Sequence, residues 1–251
     1  MGWIDEKRKE RGRRALQRQL AYQEDKARLI GEAAESMQNV FLRSQRVRKI
    51  LERFRPISDS DTVLEVGSGA HGLIFGFGNK TRVGVDPLAA EYKRIFPKWQ
   101  AAASTAAAIG EELPFADGSF DIVLSDNVID HAERPLKIID EIVRVMKPGG
   151  ILYFTVNVHH PIYDTVSRAH GFWNAAGLKL ELSAFADHTV HLTDARIRSE
   201  FAHQPLSIVE QSSTVAETKK AQRRLRLRNA DTLLKKMFFK NALYTLIALK
   251  D

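Results

Sequence analysis

The sequence predicts an α/β fold in three layers, with helices on both faces of a mainly parallel sheet. Short apolar segments that end in glycine or a polar residue alternate with segments of helical periodicity. Strands are predicted at 62–66, 82–85, 120–125, 151–158, 206–210 and 243–249, and helices at 88–96 and 135–146. Because one sheet of this kind forms one core, the 251 residues predict one principal domain.

The segments outside this alternation predict additions to the domain. Residues 1–55 contain no proline and show helical spacing of apolar residues, which predicts a basic N-terminal helical extension. The principal domain is expected to span 56–251, with a cap insertion at 161–205 and a basic amphipathic helix at 215–240.

Composition excludes several kinds of site. The chain has no cysteine, which excludes disulfides, thiolate metal sites and a cysteine nucleophile, and we expect no metal site. The first residues have no apolar core of the signal-peptide type, and no uncharged stretch is long enough to span a bilayer. A cytoplasmic protein is therefore expected.

A glycine-rich loop follows the first predicted strand. The stretch VLEVGSGAHG places Gly67, Gly69 and Gly72 in the pattern G-x-G-x-x-G, which permits a tight turn and close approach to a nucleotide. Asp86 lies 19 residues after Gly67, at the end of the next strand, where its carboxylate can bind ribose hydroxyls. On its own this pattern fits a dehydrogenase as well as other nucleotide-binding enzymes.

Glu65 separates these alternatives because it lies inside the strand, two residues before the first glycine. A buried carboxylate is costly unless it is paired. It would repel the pyrophosphate of a dinucleotide, whereas the cationic amino-acid tail of S-adenosylmethionine would pair with it. Alternatively, backbone amides or a neighbouring lysine satisfy it.

Further motifs resemble one family. ELPFADGSFDIVLSDNVIDH, followed by RPLKIIDEIVRVMKPGGILYFTV, is similar to class I S-adenosylmethionine-dependent methyltransferases, in particular a bacterial group with LPF, DGSFD and KPGG motifs. With the glycine loop, the resemblance covers roughly residues 60–158. It implies a Rossmann-like three-layer sandwich with a mainly parallel seven-stranded sheet, and S-adenosyl-L-methionine as cofactor with S-adenosyl-L-homocysteine as product.

The resemblance also implies roles for individual residues. Those around the methionine moiety would be Glu65, Gly67, Ser68, Gly69 and Gly72, with Ser125 and Asn127 near the methyl group. Those around the adenosine would be Asp86, Pro87, Leu88, Ile109, Gly110 and Glu111. Many relatives have aspartate where Ile109 stands, and glutamate where Asp130 stands. The side chain of Ile109 cannot accept a hydrogen bond from the adenine amino group, so a nearby backbone carbonyl or Glu111 is the alternative acceptor.

Histidines are the candidate general bases for a hydroxyl acceptor. His159 and His160 follow a central strand at the edge where ligands bind in open α/β folds, and they are the first candidates. His188, in the predicted cap, is the next. For each of them a purely structural role is the alternative.

The net charge of +7 favours anionic partners. Residues 219–240 contain nine Lys or Arg and one acid, so a basic helix there would pack on the sheet, bind an anionic membrane surface, or bind nucleic acid. The expected function is O-methylation of a small molecule, sugar or lipid-linked surface glycan, by an enzyme that is peripheral to the inner membrane surface. The alternatives are a nucleic-acid methyltransferase and a non-catalytic cofactor-binding scaffold.

Overall fold

The computed structural model describes residues 2–31, 34–132, 134–163, 165, 191–228 and 230–251. The helices are α1 (Gly2–Ile30), α2 (Ala34–Leu51), α3 (Ala89–Ile95), α4 (Pro97–Gln100), α5 (Pro135–Val145), α6 (Asp194–Ala202), α7 (Val215–Arg223) and α8 (Ala230–Met237). The strands are β1 (Val63–Val66), β2 (Arg82–Val85), β3 (Ser104–Ala106), β4 (Phe120–Asp126), β5 (Met146–Val158), β6 (Leu206–Ser213) and β7 (Ala242–Lys250). Short 3₁₀ turns lie at Leu73–Phe75 and Ile129–His131.

The seven strands form one sheet in the order β3-β2-β1-β4-β5-β7-β6. Strands β1 to β5 pair in parallel, whereas β7 is antiparallel to both β5 and β6. The predicted α/β class and the mainly parallel seven-stranded sheet are confirmed. The carboxyl ends of β1, β2, β3 and β4 meet at one edge, where open α/β sheets bind ligands.

Helices cover both faces of the sheet. On one face, α5 begins at Pro135 and places Ile138, Ile139 and Ile142 in the larger core, because these residues share one side of the helix. On the other face, Val47 and Leu51 of α2 pack against the strands. The three-layer arrangement follows from apolar strands buried on both sides.

The N-terminal extension forms two helices, α1 and α2. Gly31 ends α1 with a positive φ of 54°, and its N–H donates to Ala27 at 2.9 Å. On α2, Ser44 Oγ donates to the carbonyl of Leu73 at 2.7 Å and Gln45 donates to that of Gly76 at 2.7 Å. Helix α2 therefore braces the segment that follows the glycine loop.

The structure differs from the prediction in three places. Strand β3 was not predicted, because three residues are too few for a visible pattern. Strand β5 begins at Met146, five residues before the start of the strand that was predicted at 151–158. The single basic helix expected at 215–240 is two helices, α7 and α8.

The predicted cap at 161–205 lies mostly outside the described residues, and the described end of it forms α6. Across the described ranges, no helix combines the length and apolarity that a membrane crossing needs.

Candidate functional site

The glycine loop turns directly after β1. The N–H of Gly67 donates to the carbonyl of Val85 on β2 at 2.7 Å, with φ at 74°. A Cβ at Gly67 would lie 2.3 Å from Val128, so glycine is required by both conformation and packing. At Gly69, φ is 53° and an added Cβ would meet no atom within 4 Å. Gly69 therefore borders open space at the edge of the sheet.

Glu65 is 1% exposed, and backbone amides satisfy its carboxylate. Its two oxygens accept hydrogen bonds from the N–H groups of Leu73 at 3.0 Å and Ile74 at 2.8 Å. Burial raises the pKa of Glu65 to about 8, against the lowering effect of these two bonds. Of the two predicted pairings, the structure shows the one with backbone amides, and the contact of Glu65 with a cationic ligand stays a prediction.

Two other loop residues support the turn from within. Ser68 is 2% exposed and its side chain packs over Gly84, where a Cβ would lie 2.6 Å from its Oγ. A Cβ at Gly72 would lie 2.3 Å from Oε2 of Glu65. The absence of side chains at Gly84 and Gly72 thus leaves room for Ser68 and for the Glu65 carboxylate.

Asp86 connects the end of β2 to the glycine loop. Its carboxylate accepts hydrogen bonds from the N–H of Gly69 at 3.0 Å and of Leu88 at 2.8 Å. Burial raises the pKa of Asp86, although the two backbone bonds oppose the shift. The side chain is half-buried and Pro87 beside it is exposed. The structure therefore brings Asp86 next to the glycine loop, and its contact with a ribose stays a prediction.

The segment after β3 lies beside the same loop. A Cβ at Gly110 would lie 3.1 Å from Val66, the last residue of β1, so this segment packs over the end of that strand. Ile109 is 48% exposed and offers an apolar surface. Glu111 accepts a hydrogen bond from the N–H of Arg134 at 3.1 Å. The structure thus brings Ile109, Gly110 and Glu111 to the predicted side of the site.

The end of β4 completes this edge. Ser125 is fully buried, and within the described ranges its Oγ has no hydrogen-bond partner. Asn127 is exposed with a positive φ of 60°, which is uncommon for a residue other than glycine. Its N–H donates to the carbonyl of Thr155 at 3.0 Å and its Oδ1 accepts from the N–H of Asn157 at 3.0 Å. Asn127 therefore joins the ends of β4 and β5.

An ion pair that sequence reasoning missed lies at this edge. Arg43 of α2 is 3.2 Å from the carboxylate of Asp126, and a second guanidinium nitrogen donates to the carbonyl of His71 at 3.1 Å. The Arg43 side chain is 49% exposed and that of Asp126 is 19% exposed. No motif marked Arg43, because it lies in a helix far from the loop in sequence. The aspartate in VLSDN was the available signal.

His159 is fully buried beside His191 and Tyr163. Its Nδ1 accepts a hydrogen bond from the N–H of Asn241 at 3.3 Å, and its own N–H donates to the carbonyl of Leu192 at 2.8 Å. These contacts join β5 to the segments before α6 and β7. This buried, hydrogen-bonded environment fits a purely structural role for His159. Its role as a general base stays a prediction.

His160 is half-buried next to a cavity. Its Nδ1 accepts from the N–H of Ile162 at 3.3 Å. Burial lowers the pKa of His160, and the nearby charge of Lys219 lowers it further. A neutral imidazole can accept a proton, so this environment suits the predicted role. His188 lies outside the described residues.

The motifs at 113–117 and 144–150 have a structural role. Arg144 donates to the carbonyls of Leu113 at 3.1 Å and Phe115 at 2.8 Å, and to Asp117 at 2.7 Å. It also forms a two-bond ion pair with Glu141. One guanidinium therefore joins the LPF segment, the following turn and α5.

Comparisons with known proteins identify the family of this core. Residues 64–154 match the model of a methyltransferase domain. An uncharacterized methyltransferase of Mycolicibacterium gilvum is 39% identical over 100 residues, and the alignment covers 39% of this chain and 39% of that relative.

Two solved structures share the fold. The YcgJ protein from Bacillus subtilis has a TM-score of 0.56 and 14% identity, over 82% of this chain and 98% of its own. Geranyl diphosphate methyltransferase in complex with SAM has a TM-score of 0.56 and 15% identity, over 82% of this chain and 84% of its own. The residues that match the family model include β1, the glycine loop, Asp86 and β4. Residues 64–154 of this chain thus match a methyltransferase domain, and this match supports the class I S-adenosylmethionine-dependent methyltransferase family for that segment.

Proposed function

We propose that this protein transfers a methyl group from S-adenosylmethionine to a small-molecule acceptor. The observation that carries the proposal is the hydrogen bond of 3.0 Å between Asp86 and the N–H of Gly69, inside the family-matched domain. It fixes a carboxylate beside the open space that Gly69 borders. A ribose needs a carboxylate at this position, because both of its hydroxyls can donate to one carboxylate.

The described residues at this edge fit S-adenosylmethionine. The free lone pairs of Asp86 would accept from the ribose hydroxyls, and the exposed side chain of Ile109 would pack against the adenine. Arg43 and Asp126 carry the charges that complement the carboxylate and ammonium groups of the methionine tail. Glu65 supports the loop from within through its two backbone bonds, and its contact with the ammonium group of the cofactor stays a prediction.

The chemistry required of the protein is mainly alignment. When bound, S-adenosylmethionine supplies a methyl group activated by a sulfonium. The sulfur leaves as a neutral thioether when the methyl group is transferred. The loop and the ends of β4 and β5 would hold acceptor and methyl group in line and exclude water. A hydroxyl acceptor must lose its proton as its oxygen bonds to the methyl carbon. His160, with its lowered pKa, is the candidate to take that proton.

For the methyl acceptor we propose only a broad chemical class, an alcohol. An alcohol on a small molecule, sugar or lipid-linked glycan fits a half-buried histidine next to an open cavity. Attachment to an anionic membrane surface through the basic helices α7 and α8 stays a prediction.

Calorimetry with S-adenosylmethionine tests the cofactor. Micromolar binding is expected, with no heat from NAD. Asp86→Ala should weaken binding by at least about tenfold, because a charge-assisted bond to the ribose is lost. Asp117→Ala is the matched control, because Asp117 is 80% exposed and lies before the start of β4, at the opposite edge of the sheet. Absence of binding would contradict the proposal, and binding without turnover on any acceptor would favour the scaffold alternative.

A further inference from the structure

A cavity of about 170 Å³ opens between α7, α8 and the end of β5. We call it the basic pocket, and its described lining residues are His160, Lys219, Arg223, Lys235, Lys236, Met237 and Phe239. Four of these carry a positive charge at neutral pH, and among these described lining residues there is no carboxylate. The volume is several times the roughly 30 Å³ of a liquid water molecule, so it admits a group of several atoms.

The walls of the basic pocket are held by hydrogen bonds. The N–H of His160 donates to the carbonyl of Phe239 at 3.0 Å, which connects β5 to the segment before β7. The amide of Gln222 donates to the carbonyl of Lys240 at 2.7 Å and accepts from its N–H at 3.0 Å, which fixes α7 to the same segment. Lys236 donates to the carbonyl of Leu225 at 3.0 Å. The cations are therefore gathered by the fold rather than by chance surface contacts.

Gathering like charges in this way has a cost that an anion would offset. Lys219 Nζ lies 5.1 Å from the ring centre of Phe239, and its charge already lowers the pKa of His160. Converging ammonium and guanidinium donors next to a partly apolar wall are the usual recognition chemistry for phosphate oxygens. The pocket thus has the chemistry of a phosphoryl-binding site.

The basic pocket lies on the same edge of the sheet as the proposed cofactor site. His160 follows β5, and β5 is the neighbour of β4, whose end carries Asn127. Neighbouring strands are about 5 Å apart. The hydrogen bond of 3.0 Å from Asn157 to Asn127 joins the two strand ends directly. A molecule anchored in the pocket could therefore extend one strand further and reach the methyl group.

We infer that the methyl acceptor carries a phosphate or diphosphate group, which the basic pocket binds through Lys219, Arg223, Lys235 and Lys236. The inference rests on the proposed methyl transfer and narrows its substrate class to phosphorylated acceptors. It also places the acceptor so that His160, which follows β5, lies between the bound phosphate and the end of β4.

Titration of the full-length protein with inorganic pyrophosphate at physiological salt tests the inference. We expect a Kd below about 1 mM, weakened by at least about tenfold in the double variant Lys219→Gln and Lys236→Gln. The matched control is Lys220→Gln with Arg224→Gln, which removes the same charge from outside the pocket on α7 and its end. Binding weaker than about 1 mM, or an equal loss in the control, would overturn the inference.

A second measurement needs no variant. Pyrophosphate should raise the pKa of His160, followed through its ring signals by NMR, because a bound anion stabilises the imidazolium. Unchanged signals at saturating pyrophosphate would count against the inference.

Phosphatidate vesicles distinguish a lipid headgroup from a soluble phosphate. Vesicle binding that depends on Lys219 and Lys236, without pyrophosphate binding, would assign the cations to a membrane surface and overturn the inference. S-adenosylmethionine binding is measured on the same sample. If S-adenosylmethionine binds and pyrophosphate does not, only the inference about the acceptor fails. If S-adenosylmethionine does not bind, the proposed function itself is contradicted.

Discussion

The carboxylate of Glu65 accepts a hydrogen bond of 2.8 Å from the N–H of Ile74, nine residues later in the chain. A second bond of 3.0 Å comes from Leu73, so the side chain organises the turn that closes the glycine loop. Gly69 borders open space, and its N–H donates to Asp86 at the end of β2. Glu65 therefore determines the shape of the loop from within the core.

Titration of Glu65 should make stability depend on pH. The folded pKa of about 8 lies above the usual value of 4.5, so its favourable contribution is complete below about 4.5 and is lost as pH rises towards 8. The unfolding free energy should fall over this range by at least about 1 kcal/mol relative to that of Glu65→Gln, which cannot ionise. Urea denaturation at pH 5 and pH 8.5 measures it. Parallel pH curves would mean that the two backbone amides keep the carboxylate ionised throughout.

Gly69→Ala should weaken cofactor binding more than it weakens the fold. Its positive φ costs an alanine about 1 kcal/mol, and its Cβ would enter the open space beside Asp86. Gly149→Ala is the matched control, because Gly149 also has a positive φ of 71° with no atom within 4 Å of a Cβ, but lies at the start of β5. Thermal unfolding should show similar losses, and calorimetry a loss of S-adenosylmethionine affinity in Gly69→Ala alone. Equal S-adenosylmethionine affinities of the two variants would show that the loop does not contact the cofactor.

Arg43→Gln should lower the affinity for S-adenosylmethionine by about tenfold, because a charged contact to the carboxylate of the methionine tail is lost. Arg46→Gln, one turn further along α2 and exposed, should leave the affinity unchanged. Calorimetry on both variants gives the comparison. A similar effect of the two substitutions would indicate a general charge effect instead of a contact at Arg43.

Asp121 should stabilise the protein at neutral pH and lose this effect in acid. Burial would raise its pKa, but Lys147 at 2.8 Å and two hydrogen bonds from Thr62 outweigh burial and lower it below the usual 3.8. Its contribution is present above pH 3.8 and is lost as pH falls through the folded pKa.

Asp121→Asn should therefore cost about 1–3 kcal/mol of unfolding free energy at pH 7 and less at pH 3. Asp117→Asn is the control, since the Asp117 side chain is 80% exposed and its pair with Arg144 should contribute little. Chemical denaturation of both variants at pH 7 and pH 3 measures these differences in unfolding free energy. A constant difference for Asp121→Asn would show that its charge is not responsible.

His160→Gln should reduce kcat for an alcohol acceptor by about 10²–10⁴-fold with little change in KM for S-adenosylmethionine. The pKa of His160 is lowered in the free enzyme, so the acid limb of the wild-type kcat/KM profile, which reports the free enzyme, should lie below pH 6.5. His203→Gln on the exposed end of α6 is the control. An unchanged acid limb in His160→Gln would assign the proton transfer to another group.

The central sheet and the loop were predictable because their signals are local. The strands around Glu65 and Ile122 are apolar runs, and the glycines mark a turn whose conformation few other residues adopt. The spacing of 19 residues placed Asp86 at the end of the next strand, but its hydrogen bond with Gly69 was not predicted. The last strand was predicted at 243–249 from its apolar residues, and the resemblance supplied the total of seven strands. The antiparallel direction of β7 was not predicted, because it depends on pairing with β5 and β6.

Contacts between distant segments could not be read from sequence. The pair of Arg43 with Asp126 depends on how α2 packs against the sheet, which no local pattern encodes. The hydrogen-bond partners of Glu65 could not be predicted for the same reason, because any residue can supply a backbone N–H and no residue type marks it. The basic pocket similarly arises where α7, α8 and His160 converge, and the sequence showed only one run of charge.

Two hydrogen bonds between Thr214 and Leu243 join the two ends of the segment that contains α7 and α8. This segment is therefore structurally separate from the rest of the sheet. The N–H of Thr214 donates to the carbonyl of Leu243 at 2.8 Å, and the N–H of Leu243 donates to Oγ1 of Thr214 at 2.8 Å. Helices α7 and α8 thus leave and re-enter the sheet through one narrow neck between two paired strands. Evolution can lengthen, shorten or exchange residues 215–241 at this neck without altering the strands that carry Asp86 and the glycine loop. The proposed acceptor pocket can in this way change its residues while the strands of the proposed cofactor site keep theirs.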